Sequence, residues 1–484
     1  METARPAGKV PPRGIPGVSP GWVSTLNRMH AGDDQDPAWP APAAAGPVSA
    51  RIRLPASKSI TNRALVLAAL SDGPAMIANP LRARDTLLAA GGLRAMGAEI
   101  TDIGGEDPAS GTGWRVTGGQ PTAGSRVSVD VGNAGTVMRF LPAVAALTLA
   151  EVHFDGDARA RQRPVGPILV ALRELGARID DGGRGAVPFT VLGRGAMRGG
   201  TVTLDASGSS QLVSGLLLAA ARFEEGIEVR HEGSPVPSAP HIAMTVRMLR
   251  AAGADVTEMR SGPGTGEGGP GTRPDTWRVR PGRINVGTVA VEPDLSNAGP
   301  FLAAALATGG TISVPGWPRD SLQAAAQILD VLTRMGARCD IGPEGLTISG
   351  TGTIRGIAAD LRDVAELAPV LTAVAALAET PSVFTGLAHT RGHETDRLAA
   401  LAKEINALGG DVTERPDGLQ IRPRPLRAQT ADGPFGSYDD HRMVMAAAVL
   451  GLVVPGLRVV NAQTAAKTFP GFTQVWADML GQAS

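Results

Sequence analysis

Only four lysines occur in the chain, Lys9, Lys58, Lys403 and Lys467, although lysine and arginine together number 46. Lys58 lies in "LPASKSITNRALVLAAL", Leu54 to Leu70, between two serines and just over one helical turn ahead of Arg63. Ser57 has the side chain of a helix cap, and Ile60, Ala64, Leu65, Leu67 and Ala68 repeat with the period of a buried helical face. The first turn of such a helix offers free N–H groups and the positive end of a dipole, so Lys58, Ser59 and Arg63 there make an anion site. A capped helix with incidental surface charges fits the same residues. Lysine can release a proton near neutral pH where arginine cannot, which sets Lys58 and Lys467 apart from the arginines around them.

Comparable clusters recur. "VGNAGTVMRF" brackets Asn133 with Gly132 and Gly135, then starts a helix near Thr136 with Arg139 one turn in. Glycine there permits close backbone approach to a ligand. "GDARARQRPVG" packs Arg159, Arg161 and Arg163 into one loop, and arginine is the fork that grips carboxylates and phosphates. "SGSSQ" sets Ser209, Ser210 and Gln211 at a helix start, suited to phosphate oxygens or to plain capping. Glu366 stands inside an apolar helical run, Leu361 to Ala378, either on a solvated face or desolvated as a general base requires. "HTRGHETDRL" joins His389, His393, Glu394 and Arg397. Its two histidines lack the Glu-x-x-His context of a zinc helix, so no metal is expected. "DDHRM" and "AAKTFP" add Arg442 and Lys467.

These clusters need elements to bring them together. "LRAMGAEI", "LRELGARI", "MLRAAGADV", "LTRMGARC", "INALGGDV" and "DMLGQAS" place Gly97, Gly176, Gly253, Gly336, Gly409 and Gly481 at intervals of 72 to 83 residues. Each reads as the end of an amphipathic helix with glycine in the left-handed position, and in five a strand pattern follows. Such a period predicts six copies of an α/β unit, three to a domain, with the helix starts converging on one cleft for an anionic ligand pair. "GPGTGEGGPGTRP", Gly262 to Pro274, reads as a flexible hairpin tip, not a phosphate loop, because no helix pattern follows it.

Composition bounds the rest. The 484 residues suggest about two to four domains, and 43% hydrophobic residues supply an ample core. A net charge of zero and 3% aromatic residues disfavour nucleic acid and anionic membranes as partners. The one cysteine, Cys339, excludes an internal disulfide framework. No apolar run reaches the roughly 18 residues of a membrane span. The first 45 residues read as a disordered tail, with Met29 an alternative start, and the cytoplasm is the expected compartment.

Taken together, "ASKSITNRALVLAAL", "GNAGTVMRF", "RQRP", "SGSSQ", "HETDRL", "DDHRM" and "AAKTFP" resemble, in order and spacing, the 5-enolpyruvylshikimate-3-phosphate synthase family. The resemblance runs from about Val48 to the C-terminus. It implies an α/β fold of two similar domains, each of three βαβαββ-type repeats in an inverted, barrel-like arrangement, joined by two crossover strands. The first domain would take residues 46–56 and 285–484, the second residues 57–284. The implied reaction is transfer of the carboxyvinyl group of phosphoenolpyruvate to the 5-hydroxyl of shikimate 3-phosphate, with no cofactor and a monomeric enzyme.

By the same resemblance Lys58 touches both substrates, and Ser59, Arg63, Ser209, Ser210, Gln211, Ser238, Glu366, His389 and His393 bind shikimate 3-phosphate. Asn133, Gly135, Thr136, Arg163, Gln211, Arg397, Arg442 and Lys467 take phosphoenolpyruvate. Glu366 is the implied general base, and Glu394 with Lys58 handles protonation of the methylene carbon. Glu366 replaces the commoner Asp and His241 the commoner Tyr. His389 and His393 replace Asn and Lys, so shikimate 3-phosphate affinity is expected to weaken above neutral pH. The alternatives are a UDP-N-acetylglucosamine enolpyruvyl transferase and a nucleic-acid end-processing protein on a related fold. The first is disfavoured because the "GDARARQRP" loop has no Cys.

Overall fold

The computed structural model describes residues 38–104, 113–260, 273–428 and 433–482. Among these, twelve α-helices run in chain order: α1 (Lys58–Ala69), α2 (Arg84–Ala95), α3 (Gly135–Ala146), α4 (Gly166–Glu174), α5 (Ser210–Ala219), α6 (Ala239–Ala251), α7 (Leu295–Thr308), α8 (Ala325–Arg334), α9 (Ala368–Ala376), α10 (Arg397–Ala407), α11 (His441–Gly451) and α12 (Phe472–Met479). Residues 126–192 show how they are used. Strand Arg126–Asp130 leads into α3, and strand Glu151–Asp155 returns parallel to it. Then α4 follows, and strands Arg178–Asp180 and Phe189–Leu192 close the unit as an antiparallel pair. The sheet order is first, second, fourth, third; four of the five four-stranded sheets share it in chain order, and the fifth differs only because Thr288–Ala290 fill its leading position. The sixth unit is reduced. Phe435 bridges Val459 in parallel, and Trp39–Pro40 pair antiparallel with Arg458–Val459.

The six repeats read from the glycines are therefore present, five as βαβαββ units and the sixth in reduced form. All six glycines have φ between +68° and +113°, a region that side chains disfavour. At Gly97 an added Cβ would also lie 2.5 Å from the main chain of Gln120. The barrel-like closure is absent, since each described sheet stays open and the units pack through helices.

Two units exchange their first strands. Ser49–Arg51 pair in parallel with Thr311–Ser313, yet the chain runs on from them into α1. Thr288–Ala290 pair in parallel with Met76–Ala78, yet lead into α7. The crossing segments bond to each other: Ser57 N–H donates to the Glu292 carbonyl and Asp294 N–H to that of Pro55, both at 2.8 Å. Thr288–Ala290 belong to the sheet of the N-terminal half, and Trp39, Pro40 and the buried Ala41 are structured where a tail was expected. Most of the Gly262–Pro274 stretch lies outside the described residues, but strands Val256–Met259 and Thr276–Val279 on either side do pair antiparallel.

The odd-numbered helices form the interior. Every residue of α3, α9 and α11 is buried, as helices apolar on all faces require. The even-numbered helices are amphipathic; α8 buries only Ile328, Val331 and Leu332. Strand lengths and connections repeat, so the inner helices of all six units begin on the same side of their sheets, and the polar clusters sit at those beginnings.

Candidate active site

All seven motifs lie at helix starts, four at the start of an inner helix and three on the turn before an outer one. Ser57 caps α1 and places Lys58 at its first position. Asp294 caps α7 through the Asn297 N–H and also accepts the Lys58 N–H at 3.1 Å. One carboxylate thus serves two helix starts, one from each half, where the crossovers meet. The Lys58 ammonium lies 3.4 Å from Asp85, which is 2% exposed and sits in the first turn of α2. Burial opposes the lysine's charge, but Asp85, Glu394 and Glu366 outweigh it and hold the proton more firmly than in free lysine. The expectation that Lys58 loosens its proton does not hold in this arrangement.

On the N-terminal half the cations meet neutral oxygens. Arg63 is 1% exposed and donates to the Thr245 and Ser214 hydroxyls and to the carbonyls of Ser59 and His241. Burial without a carboxylate brings it down to about 9. Arg163 donates to both oxygens of Asn133 at 2.8 and 2.9 Å. Arg139 donates to Gln211 Oε1 at 3.1 Å and to the Pro164 carbonyl. Around Gly135 the space closes: a Cβ there would lie 2.9 Å from Arg139, Arg163 and Gln211 alike. Thr136 accepts from Asn62 at 2.7 Å. Ser209 caps α5 through the Gln211 N–H, Ser210 is buried beside it, and Ser238 precedes α6 in a left-handed conformation at φ +51°.

The C-terminal half gathers charge of both signs. Arg397 bonds Asp440 at 2.8 Å, Glu366 and Glu394 each at 3.2 Å, and His393 Nδ1 at 3.0 Å. Lys467 lies 2.6 Å from Glu394 and 3.4 Å from the Asn133 carbonyl of the other half. The turn carrying Lys467 is fixed by Phe469 and Phe472, which pack on Phe301. Arg442 donates to both Ser296 oxygens at 2.8 Å and comes within 3.5 Å of Glu366. Glu366 is not inside a helix, as its apolar surroundings suggested. It lies in the 3₁₀ turn Arg362–Leu367 ahead of α9, where Val364 breaks helical geometry, and that break turns the carboxylate toward the arginines. Burial works against its charge, yet Arg397 and Arg442 hold the carboxyl well below the usual range. Glu394 is held low in the same way, burial being overcome by Lys467, Arg163 and Arg397.

His389 and His393 face one another edge to face at 5.5 Å. Burial, with Arg397 adding to it, brings His393 down to about 3, and burial brings His389 to about 4. Both are neutral near physiological pH in this arrangement, so neither supplies the titrating charge that the expected pH dependence of shikimate 3-phosphate affinity relied on. A cavity of about 40 Å³ joins the halves, lined by Ser59, Ser238 and His241 on one side and Ser296, Asp294 and Glu366 on the other. Three participants carried no motif of their own: Asp85, Asp294 and Arg159. Arg159 donates across the cleft to the main-chain carbonyls of Glu394 at 2.9 Å and His393 at 3.3 Å. Only its position in the arginine loop hinted at a role.

Open sheets repeated sixfold around buried helices, with a cationic cleft between halves, define an enolpyruvyl-transferase architecture. Two solved structures share it. The enolpyruvyl transferase NikO from Streptomyces tendae superimposes with a TM-score of 0.67 at 18% identity, covering 92% of this chain and 98% of its own. The EPSP synthase of Acinetobacter baumannii superimposes with a TM-score of 0.69 at 25% identity, over 91% of this chain and 97% of its own. The family profile of EPSP synthase (3-phosphoshikimate 1-carboxyvinyltransferase) matches residues 42–476. A 3-phosphoshikimate 1-carboxyvinyltransferase from Kocuria rhizophila is 48% identical over 94% of this chain and 99% of its own length. The chain belongs to the EPSP synthase family.

Proposed function

We propose a division of labour between the two halves for the reaction of this family, in which the carboxyvinyl group of phosphoenolpyruvate passes to the 5-hydroxyl of shikimate 3-phosphate and phosphate leaves. The boundaries of the working domains fall at the crossovers, with residues 57–290 forming one and residues 39–56 with 291–482 the other. Ser59, Arg63, Ser209, Ser210, Gln211, Ser238, His389 and His393 hold shikimate 3-phosphate. Asn133, Gly135, Thr136, Arg163, Arg397, Arg442 and Lys467 hold phosphoenolpyruvate.

Glu366 removes the 5-hydroxyl proton as that oxygen bonds to the central carbon of phosphoenolpyruvate. Arg397 and Arg442 keep Glu366 without its proton and so able to accept one, while their charge also lowers its basicity. Protonation of the methylene carbon falls first to Lys58, because Glu394 begins as an anion. Glu394 then accepts a proton as the tetrahedral intermediate expels phosphate, whose charge Lys467 and Arg163 neutralise. The cavity is lined by both halves, so the halves part for entry and close around the pair.

The observation that carries this reading is the cavity itself, where Glu366 of one half faces Ser59, Ser238 and His241 of the other. A phosphate-release assay tests it. Release that requires both substrates, ignores UDP-N-acetylglucosamine as acceptor and disappears in Glu366→Gln is expected. Release supported by the nucleotide sugar would overturn the acceptor assignment. The same reading has the chain act as a cytoplasmic monomer on small molecules. No helix among the described residues is long and apolar enough to cross a membrane, and sedimentation of the pure protein tests the monomer.

A further inference from the structure

The turn that delivers Asp440, His441 and Arg442 to the site has a costly backbone. Tyr438 and Asp439 are consecutive non-glycine residues, both at φ +54°, where a side chain is disfavoured and which persists only if the surroundings enforce it. The same capping chemistry elsewhere needs no such strain. Asp294 caps α7 and Asp396 caps α10, and no residue just before either is left-handed. Something other than capping α11 is therefore served by the twist.

Two anchors enforce it. Glu404, 8% exposed, accepts the Gly436 N–H at 2.9 Å and the Tyr438 hydroxyl at 2.5 Å. Asn461, itself left-handed, donates its side-chain amide to Asp439 at 2.6 Å. The Lys403 ammonium lies 5.6 Å from the Tyr438 ring centre. The result is delivered at Asp440, fully buried, whose carboxylate takes Arg397 Nε and Nη2 at 2.8 and 3.3 Å. Arg397 and Glu404 stand seven residues apart on α10, two turns along one face. One helix thus grips the strained turn at both ends, by Glu404 at its approach and by Arg397 at its tip.

We propose that Glu404 and Tyr438 are positioning residues: they lock the strained turn so that Asp440 fixes the plane of the Arg397 guanidinium at the phosphoenolpyruvate end of the site. This rests on reading Arg397 as a phosphoenolpyruvate ligand. Neither residue touches substrate, so the effect is on geometry. Tyr438 is the only tyrosine in the chain, so Tyr438→Phe removes its only phenol.

The test uses the full chain with Tyr438→Phe, Glu404→Gln and the double variant, measuring KM for each substrate, kcat and Tm. Each single variant is expected to lower kcat/KM for phosphoenolpyruvate by between about 10- and 100-fold, the penalty of a small misplacement. KM for shikimate 3-phosphate should stay within about twofold, and the double variant should be no worse than the worse single one, as expected of one unit. Asp439→Gly in the Glu404→Gln background removes the left-handed penalty and should restore part of the loss. Wild-type kcat/KM for phosphoenolpyruvate in the folded variants overturns the proposal, and so does an equal loss for both substrates that tracks Tm. Should Glu404→Gln not fold, Tyr438→Phe alone decides between the same outcomes. Arg397→Lys is measured separately: if it leaves KM for phosphoenolpyruvate unchanged, the underlying reading of Arg397 fails, whatever the other variants do.

Discussion

The two walls of the cleft hold their cations in opposite ways. On the N-terminal side, Arg63, Arg139 and Arg163 bond hydroxyls, amides and carbonyls, and among the described residues none of them forms an ion pair with a carboxylate. Burial lowers Arg63 to about 9, and burial with the neighbouring Arg163 lowers Arg139 to about 9 as well. On the C-terminal side, Arg397 is surrounded by Asp440, Glu366 and Glu394, which raise it despite burial. Lys467 is likewise matched by Glu394. Lys58 is the exception on the first wall, since Asp85 pairs with it. Arg63 and Arg139 on the first wall are thus buried without an ion-paired carboxylate among the described residues, a charge that a phosphate dianion would relieve. The second wall is internally neutralised, so a substrate must compete with its carboxylates.

The largest effect should come from the second wall. Glu366→Gln keeps the size and hydrogen bonds of the side chain but cannot take a proton. A loss in kcat of about 10²- to 10⁴-fold is expected with KM for shikimate 3-phosphate nearly unchanged. Stopped-flow turnover within tenfold of wild type would remove Glu366 from the role of base.

Stability distinguishes the walls next. Arg397→Met leaves the buried Asp440, the nearly buried Glu394 and the partly exposed Glu366 without their shared cation, a loss of about 3–5 kcal/mol by the usual cost of breaking a buried pair. Arg63→Met removes a buried charge that had no counter-ion, and the Thr245 hydroxyl keeps its bonds to Ser214 and the His241 carbonyl. Its Tm should hold or rise while shikimate 3-phosphate binding is lost. Calorimetry showing both variants equally destabilised would dissolve the contrast between the walls.

What the sequence made legible follows from range. Gly97 and its five counterparts were readable because a helix end and its left-handed glycine are decided by a few adjacent residues. Asn133 to Thr136, Arg397 and Lys467 stood out because each lies in a dense polar cluster at a helix start. The strand exchange was not readable in residues, because Ser49–Arg51 and Thr288–Ala290 find partners hundreds of residues away and their short apolar patterns fit any sheet; only the family resemblance implied crossovers. Asp85 was invisible as a lone acid in an ordinary helix, and its role exists only because Lys58 lies against it. The neutrality of His393 depends on burial beside Arg397, which no local pattern reports.

The arginine loop offers a graded test within five residues. Arg163 reaches the site, Arg159 ties the loop to the main chain of Glu394 and His393, and Arg161 pairs with Asp155 at the surface. Substituting each by methionine should give losses in kcat/KM that fall in the order 163, 159, 161. The Arg159 loss should be roughly tenfold and alike for both substrates, as for a contact between halves rather than with a ligand. A loss confined to phosphoenolpyruvate would make Arg159 a ligand instead.

The smallest expected effect concerns pH, and its sign follows from burial. His241, His389 and His393 are held at about 4, 4 and 3, and His441 is pushed well below its ordinary value, burial leading in every case. Each is neutral in the folded chain above about pH 5, whereas in the unfolded chain each protonates near 6.5. The unfolded state therefore binds more protons as pH falls below about 6.5, and stability present above that value is lost toward pH 5. Glu366 and Glu394 add their own losses only below the ordinary carboxylate range, so the decline from about 7 to 5 belongs to the histidines. Over the alkaline side nothing in this group changes charge. Shikimate 3-phosphate affinity measured calorimetrically between about pH 7 and 8.5, above the second ionisation of the ligand's phosphate near 6, should be flat. A tenfold weakening across that window would mean that the bound phosphate recharges His393 against both its burial and Arg397, and the first wall would then extend into the second.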